Sequence, residues 1–253
     1  MKQHLPNFLT LLNLFCGTIA VLFAVQSQFV TAALFVFIGI VFDFFDGFVA
    51  RKLDVQSDLG LELDSLADMV TSGLVPGIVM YKLLANAFKD ISVVPDDTWN
   101  ASLQLHGLEQ SFLPLFGLLI TLASAYRLAT FNIDEDQQAY FKGLPTPANT
   151  LLIISLPLIM EFQLTNFMSA LILNPWFLMG LTLLSCYLLN SGIKLFALKF
   201  KTWDFRPNAI RYSFVVLSMV FLAAFHFVAI PLIILLYIGL SLLDTYVFRL
   251  SVN

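Results

Sequence analysis

The sequence predicts an all-α fold: a polytopic membrane helix bundle of about eight transmembrane helices. Three observations carry this expectation. Of 253 residues, 59% are hydrophobic and only 12% are charged, which is far too apolar for a soluble domain. Apolar runs of roughly 20 residues recur, each enough to cross about 30 Å of hydrocarbon. Lysine and arginine concentrate on alternate connections and helix ends, as the positive-inside rule requires. The economical organisation is one integral-membrane domain over residues 1–253. A six-helix core covers about 6–200, and two extra C-terminal helices cover about 209–248. No internal repeat is evident.

The first run, about 8–26, begins almost at once and lacks a cleavage pattern, so it reads as a retained helix. It opens with Pro6, Asn7, Thr10 and Asn13. The last three recur every third position and form a polar stripe that either lines a site or bonds neighbouring helices. The second run, about 29–50, ends on Asp43, Asp46, Gly47, Ala50 and Arg51. The third, about 58–83, follows Ser57 and Asp58, a helix-start pattern, and carries Gly60, Asp64 and Asp68. Asp54 and Asp58 read as caps or solvated charges, and Glu62 lies off the Asp64–Asp68 face. Residues 84–111 form the longest polar stretch and read as a loop with a short interfacial helix near Trp99.

The fourth run, about 112–132, ends with Arg127 and Asn132. An arginine there either serves a site or snorkels to lipid phosphates. Pro145 and Pro147 flank a helix start and make a rigid entry into the fifth run, about 148–165. The sixth run covers about 174–194. Lys199 to Arg206 reads as a basic, aromatic interfacial anchor. The last runs, about 209–226 and 228–248, are separated by a tight turn near His226 and Pro231.

Asp43, Asp46, Gly47 and Ala50 follow i, i+3, i+4, i+7 and share one helix face. Gly60, Asp64 and Asp68 follow i, i+4, i+8 and do the same. Two antiparallel helices could aim all four carboxylates at one point. A centrally placed aspartate costs roughly 2.5–3.5 kcal/mol on insertion scales, so four cost about 10 kcal/mol or more before they repel one another. Interfacial depth lowers this cost, and a bound cation lowers it further. Clustered hard oxygens suit Mg²⁺, Mn²⁺ or Ca²⁺. Gly47, Ala50 and Gly60 leave room for a phosphate, and Arg51 offers a fork for its oxygens.

Other chemistries have little support. The formal charge of −4 says little about partners, and no basic run suggests nucleic acid. Cys16 and Cys186 lie in apolar runs and read as packing residues with free thiols. His4, His106 and His226 are scattered and suggest no zinc site. Phosphate-loop, nucleophile-elbow and dinucleotide motifs are lacking. With both termini inside, Arg51, Lys52, Arg127, Lys142 and Lys194 fall on the inner side, while Lys82 and Lys89 stay outside. The acidic cluster then faces the cytoplasm.

The string D-x-x-D-G-x-x-A-R-x8-G-x-x-x-D-x-x-x-D is matched at Asp43, Asp46, Gly47, Ala50, Arg51, Gly60, Asp64 and Asp68. It resembles the signature of the CDP-alcohol phosphotransferases. The opening Pro6, Asn7, Thr10 and Asn13 resembles the P-N-x-x-T-x-x-N element of phosphatidylserine synthases. Residues 127–132 and 143–148 resemble the R-L-A-R-F-N and G-L-P-S-P-A elements of the bacterial and archaeal enzymes. The chain departs at Thr130, where arginine is usual, and at Thr146, where serine is common and a hydroxyl is kept.

The resemblance implies a membrane enzyme of a bacterial or archaeal cytoplasmic membrane that moves a phosphatidyl group from CDP-diacylglycerol to L-serine and releases CMP. It implies Mg²⁺ or Mn²⁺ on Asp43, Asp46 and Asp64. Asp68 would be the general base and also touch metal. Gly47, Ala50, Arg51, Gly60, Asn7 and Thr10 would contact the donor, and Arg127 and Lys142 the acceptor. Membrane lipids and a homodimer partner are expected on the same ground. Alternatives are another acceptor (glycerol 3-phosphate, an inositol phosphate or choline) or, in a different class, a cation transporter using intramembrane carboxylates.

Overall fold

A computed structural model describes residues 4–89, 112–133, 140–196 and 205–245. Helices α1 (His4–Val25) and α2 (Phe29–Leu53) pack as a hairpin about a turn at Ser27, whose φ is 60°. Small side chains permit the approach. Ala20, Ala24 and Ala32 are buried between them, and Phe23 stacks on Phe35 with centroids 5.9 Å apart. α2 stops at Asp54, whose left-handed backbone lets its amide close on Ala50 and Arg51 carbonyls. Ser57 then caps α3 (Asp58–Asp68) by accepting from the Gly60 amide at 3.1 Å. Asp54 is the cap that the sequence suggests, and Asp58 is the first residue of α3.

The third run is predicted as plain helix over 58–83. In the structure α3 passes through one π-helical turn (Met69–Leu74) and continues as α4 (Val75–Lys89), reaching into the predicted loop. A π turn is wider than an α turn and loosens the carbonyl ladder. Neighbouring helices supply the missing donors. Thr150 Oγ1 donates to Ser72 O at 2.8 Å, and Thr121 Oγ1 to Gly73 O at 3.1 Å.

A 3₁₀ turn (Leu113–Leu118) leads into α5 (Leu119–Ile133), then β1 (Tyr140–Lys142) and α6 (Thr146–Phe162). α6 is the central pillar. Every residue from Leu152 to Ile159 is buried, as expected of a helix apolar on all sides. Ile153, Ile154 and Ile159 join Val79, Met80, Leu84, Ile120 and Leu178 in the main core. α7 (Asn166–Ile172) and α8 (Pro175–Asn190) meet at a 64° bend. Asn174 causes it by capping α8: its side chain accepts from the amides of Trp176 and Phe177, and Pro175 starts the helix.

The sixth helix is predicted to reach 194 but ends at Asn190. Beyond it, β2 (Lys194–Phe196) pairs antiparallel with β1. This two-stranded ribbon is the one departure from an all-α fold among the described residues. α9 (Phe205–Phe225) and α10 (Ala229–Leu243) close the chain as a second hairpin, folded at His226 with φ 47° and tied by Phe214 against Tyr237. The helix proposed near Trp99 and most of the basic anchor from Lys199 lie outside the described residues.

Five helical runs are long and apolar enough to cross a membrane, and the bent α7–α8 pair makes six. α6 has 17 residues and α10 has 15, each short of the roughly 20 that a full crossing needs. Length and composition therefore support an integral-membrane helix bundle without reaching eight crossings. Outward-facing Phe8, Phe15, Phe37, Leu122 and Trp176 are each more than half exposed, as a lipid-facing surface requires.

The threonine locks on the π turn yield a prediction. Thr121→Val and Thr150→Val should each lower stability by about 0.5–2 kcal/mol, the range for interhelical hydrogen bonds in membranes. Thr18→Val should be neutral, because Thr18 is exposed and bonds only Leu14 O in its own helix. Unfolding titrations in detergent distinguish the three.

Candidate functional site

The site forms where the last turns of α2 meet the first turns of α3. Helical spacing turns Asp43 and Asp46 of α2 toward Asp64 of α3. One carboxylate oxygen from each lies within 4.8 Å of the others. At an effective dielectric of about 20, two unit charges at this range repel by about 3 kcal/mol. The triad therefore calls for positive charge.

A cation fits the donor set. Oxygens bound at 2.0–2.6 Å lie at most about 4–5 Å apart across one ion. Asp64 Oδ1 is buried and has no hydrogen-bond partner. A buried carboxylate oxygen without a partner, on a residue grouped with two further carboxylates, suits a divalent cation.

α1 holds this cluster from behind. The Thr10 hydroxyl lies 2.5 Å from Asp46 Oδ2 and 3.2 Å from Pro6 O. Asn13 Nδ2 donates to Asp68 Oδ1 at 3.2 Å. The amide is oriented in turn by Thr71, whose hydroxyl donates to Asn13 Oδ1 at 2.8 Å. Asn13 and Thr71 are fully buried. The polar stripe of α1 thus serves both readings open in the sequence: it bonds helices together, and the groups it bonds are the site carboxylates.

Two cavities flank the cluster. The first, about 460 Å³, is walled by Asn7 and Thr10 of α1, Ala50 of α2 and Gly60 of α3. The second, about 450 Å³, is walled by Asp43, Asp68, Arg127, Asn132 and the segment Pro145–Pro147. Asp46, Gly47, Arg51, Leu61 and Asp64 line both. The carboxylates therefore stand on a shared wall. A Cβ on Gly47 would lie 3.3 Å from an Arg51 guanidinium nitrogen, so the glycine makes room for Arg51 to fold back over α2.

Most sequence-predicted residues come together. Asn7, Thr10, Gly47, Ala50, Arg51 and Gly60 all meet at the first cavity. Arg127, 6% exposed with its guanidinium 5.5 Å from the Phe131 ring, faces the second. Two residues stand apart from the cluster. Asp68 lines the second cavity, accepts from Asn13 and lies outside the three-oxygen group. Lys142 lines neither cavity. It lies in β1 opposite Lys194, and the chain turns at Gly143 before reaching the cavity wall.

Sequence reasoning did not single out Ser65, which bonds Asn132 at 3.1 Å on the wall of the second cavity. Asn132 ends the segment that starts at Arg127 and carried a weak signal. Ser65 carried none, since its partner is 67 positions away.

Comparison with known proteins agrees with this geometry. The family model described as CDP-alcohol phosphatidyltransferase matches residues 3–188. A Bacillus subtilis protein named CDP-diacylglycerol–serine O-phosphatidyltransferase is 32% identical over 145 residues, 57% of this chain and 70% of the relative. A Methanocaldococcus jannaschii protein of the same name is 28% identical over 170 residues, 67% of this chain and 68% of the relative. An archaetidylserine synthase of Methanothermobacter thermautotrophicus is 29% identical over 170 residues, covering 66% and 60%. With the eight signature residues gathered around one carboxylate cluster and the match spanning most of its length, the chain belongs to the CDP-alcohol phosphatidyltransferase family.

Proposed function

We propose that this protein transfers a phosphatidyl group from CDP-diacylglycerol to L-serine, giving phosphatidylserine and CMP. The observation that carries the proposal is the carboxylate cluster on a wall shared by two cavities. A group-transfer enzyme needs that arrangement, with donor and acceptor on opposite sides of one charge-stabilising centre. The names of the relatives favour serine as acceptor.

Asp43, Asp46 and Asp64 would hold a divalent ion, Mg²⁺ or Mn²⁺. When bound, it supplies neutralisation of the diphosphate and stabilisation of the departing CMP oxygen. Thr10 keeps Asp46 aimed at that position. Arg51 and Asn7 receive the diphosphate and nucleotide in the first cavity, beside Ala50 and Gly60. Arg127 pairs with the serine carboxylate in the second. Asp68, steadied by Asn13, accepts the proton of the serine hydroxyl. The hydroxyl oxygen forms the new bond to the phosphorus bearing diacylglycerol, and the bond from that phosphorus to the CMP oxygen breaks. Lys142, outside both cavities, has no contact role in this scheme. The cluster faces the cytoplasm, on the lysine and arginine asymmetry, and the enzyme works as a homodimer.

The direct test supplies purified protein with CDP-diacylglycerol, divalent metal and a panel of alcohols. Mass spectrometry should find phosphatidylserine and CMP with serine. A product with another alcohol alone would refute the acceptor assignment.

Asp68→Asn should lower turnover by about 10²–10⁴-fold, the scale of general-base catalysis, with little change in metal dependence. Asp64→Asn should instead raise the metal concentration needed and weaken donor binding. Rescue of Asp68→Asn by excess metal would make Asp68 a ligand first.

Orientation is tested with Cys16 and Cys186, both free thiols, replaced by serine. A thiol reagent should reach Lys89→Cys in intact cells and Lys142→Cys only after permeabilisation. The opposite pattern rejects the cytoplasmic placement.

A further inference from the structure

The hairpin of α9 and α10 lies beyond the family match, which ends at residue 188. An apolar anchor needs no polar face, yet α10 has one. Tyr237 and Ser241 lie four residues apart, and Thr245 follows four residues later in the turn after the helix. All three hydroxyls are used on β2. Tyr237 Oη donates to Phe196 O at 2.9 Å, Phe196 N donates to Ser241 Oγ at 3.4 Å, and Thr245 Oγ1 donates to Lys194 O at 3.2 Å. A two-stranded ribbon is marginal by itself. Here the outer edge of β2 is completed by side chains of α10. Apolar contacts reinforce the hold: Ile234 of α10 packs with Leu144, Leu152, Leu188 and Leu195, and Phe196 meets Tyr237 edge-on at 5.1 Å.

The other strand leads to the site. β1 runs into Gly143, at φ 77°, where a Cβ would sit 2.5 Å from Leu189 O. Only glycine accepts that turn. Gly143 N donates to Ile193 O and Leu144 N to Leu188 O, both at 2.8 Å. The next three residues, Pro145, Thr146 and Pro147, wall the second cavity together with Asp68 and Arg127. Hydrogen bonds therefore run from α10 through β2 and β1 to the cavity wall, with proline stiffening the last step.

We propose that α10 is a positioning element for the acceptor side: its Tyr237–Ser241–Thr245 ladder holds the ribbon, and the ribbon sets the Pro145–Pro147 wall. This rests on the reading of the second cavity as the acceptor cavity. The first cavity is walled by α1, α2 and α3 and does not touch this chain of contacts. Loosening α10 should then act on serine and spare the donor.

The test uses the full-length protein carrying Tyr237→Phe, Ser241→Ala and Thr245→Val together. The serine KM should rise about tenfold, the equivalent of two or three membrane hydrogen bonds, with the CDP-diacylglycerol KM unchanged. Amide hydrogen exchange over residues 140–147 should quicken. Restoring Thr245 as serine should recover part of both effects. If the triple variant does not fold, Tyr237→Phe alone should show the same selectivity at smaller size. Unchanged exchange over 140–147 overturns the clamp. Equal rises in both KM values also overturn it, because they report general loosening. Faster exchange with an unchanged serine KM overturns the proposal through its premise: the ribbon is held, but its wall is not the acceptor's.

Discussion

Three carboxylate oxygens, from Asp43, Asp46 and Asp64, share a space no wider than 4.8 Å where two apolar helices meet. Mutual repulsion and poor solvation both oppose this placement. The surrounding structure answers that opposition in layers. α1 brings Thr10 to Asp46 and Asn13 to Asp68. Gly47 opens the space for the Arg51 guanidinium. Asp64 keeps one buried oxygen without a partner, the position that a divalent cation would complete.

The π turn after Asp68 belongs to the same arrangement. Its Thr71 hydroxyl reaches the Asn13 side chain, while its carbonyls at Ser72 and Gly73 draw hydroxyls from α6 and α5. Three helices, α1, α5 and α6, are thereby tied to one irregular turn, immediately beyond the last carboxylate. A regular α-helix keeps those carbonyls in its own ladder and offers neighbours less to bond. Local irregularity in this position sets the site carboxylates against α1 instead of leaving them on a freely rotating helix end.

In the proposed scheme the two cavities let a single cluster serve two reactants. Residues that carry the donor assignment line the space beside α1, and Arg127 with Pro145–Pro147 lines the other. Because Asp46, Asp64, Gly47 and Arg51 face both, charge built up during transfer stays near the same fixed groups. Asp46 is buried and held by Thr10, so it needs little reorganisation as charge develops. The Pro145–Pro147 wall of the second cavity is different in kind. It is a proline-bracketed segment whose support comes from a ribbon and a C-terminal helix.

Sequence alone determined the helical membrane class, the carboxylates, glycines and arginine of the signature, and the α1 stripe. Each rests on spacing within one helix, and 3.6-residue periodicity is a local property. It also located the caps at Asp54 and Ser57. What it could not supply was anything set by partners distant in the chain. Ser65 with Asn132, Asn13 with Asp68, and Thr150 with the Ser72 carbonyl join residues 55 to 78 positions apart. The ribbon that moved Lys142 away from the cavities depends on pairing with Lys194, and the π turn depends on threonines from two other helices. Tertiary packing decided these, because a hydrogen-bond partner is chosen by where whole helices come to rest and leaves no periodic trace in either segment.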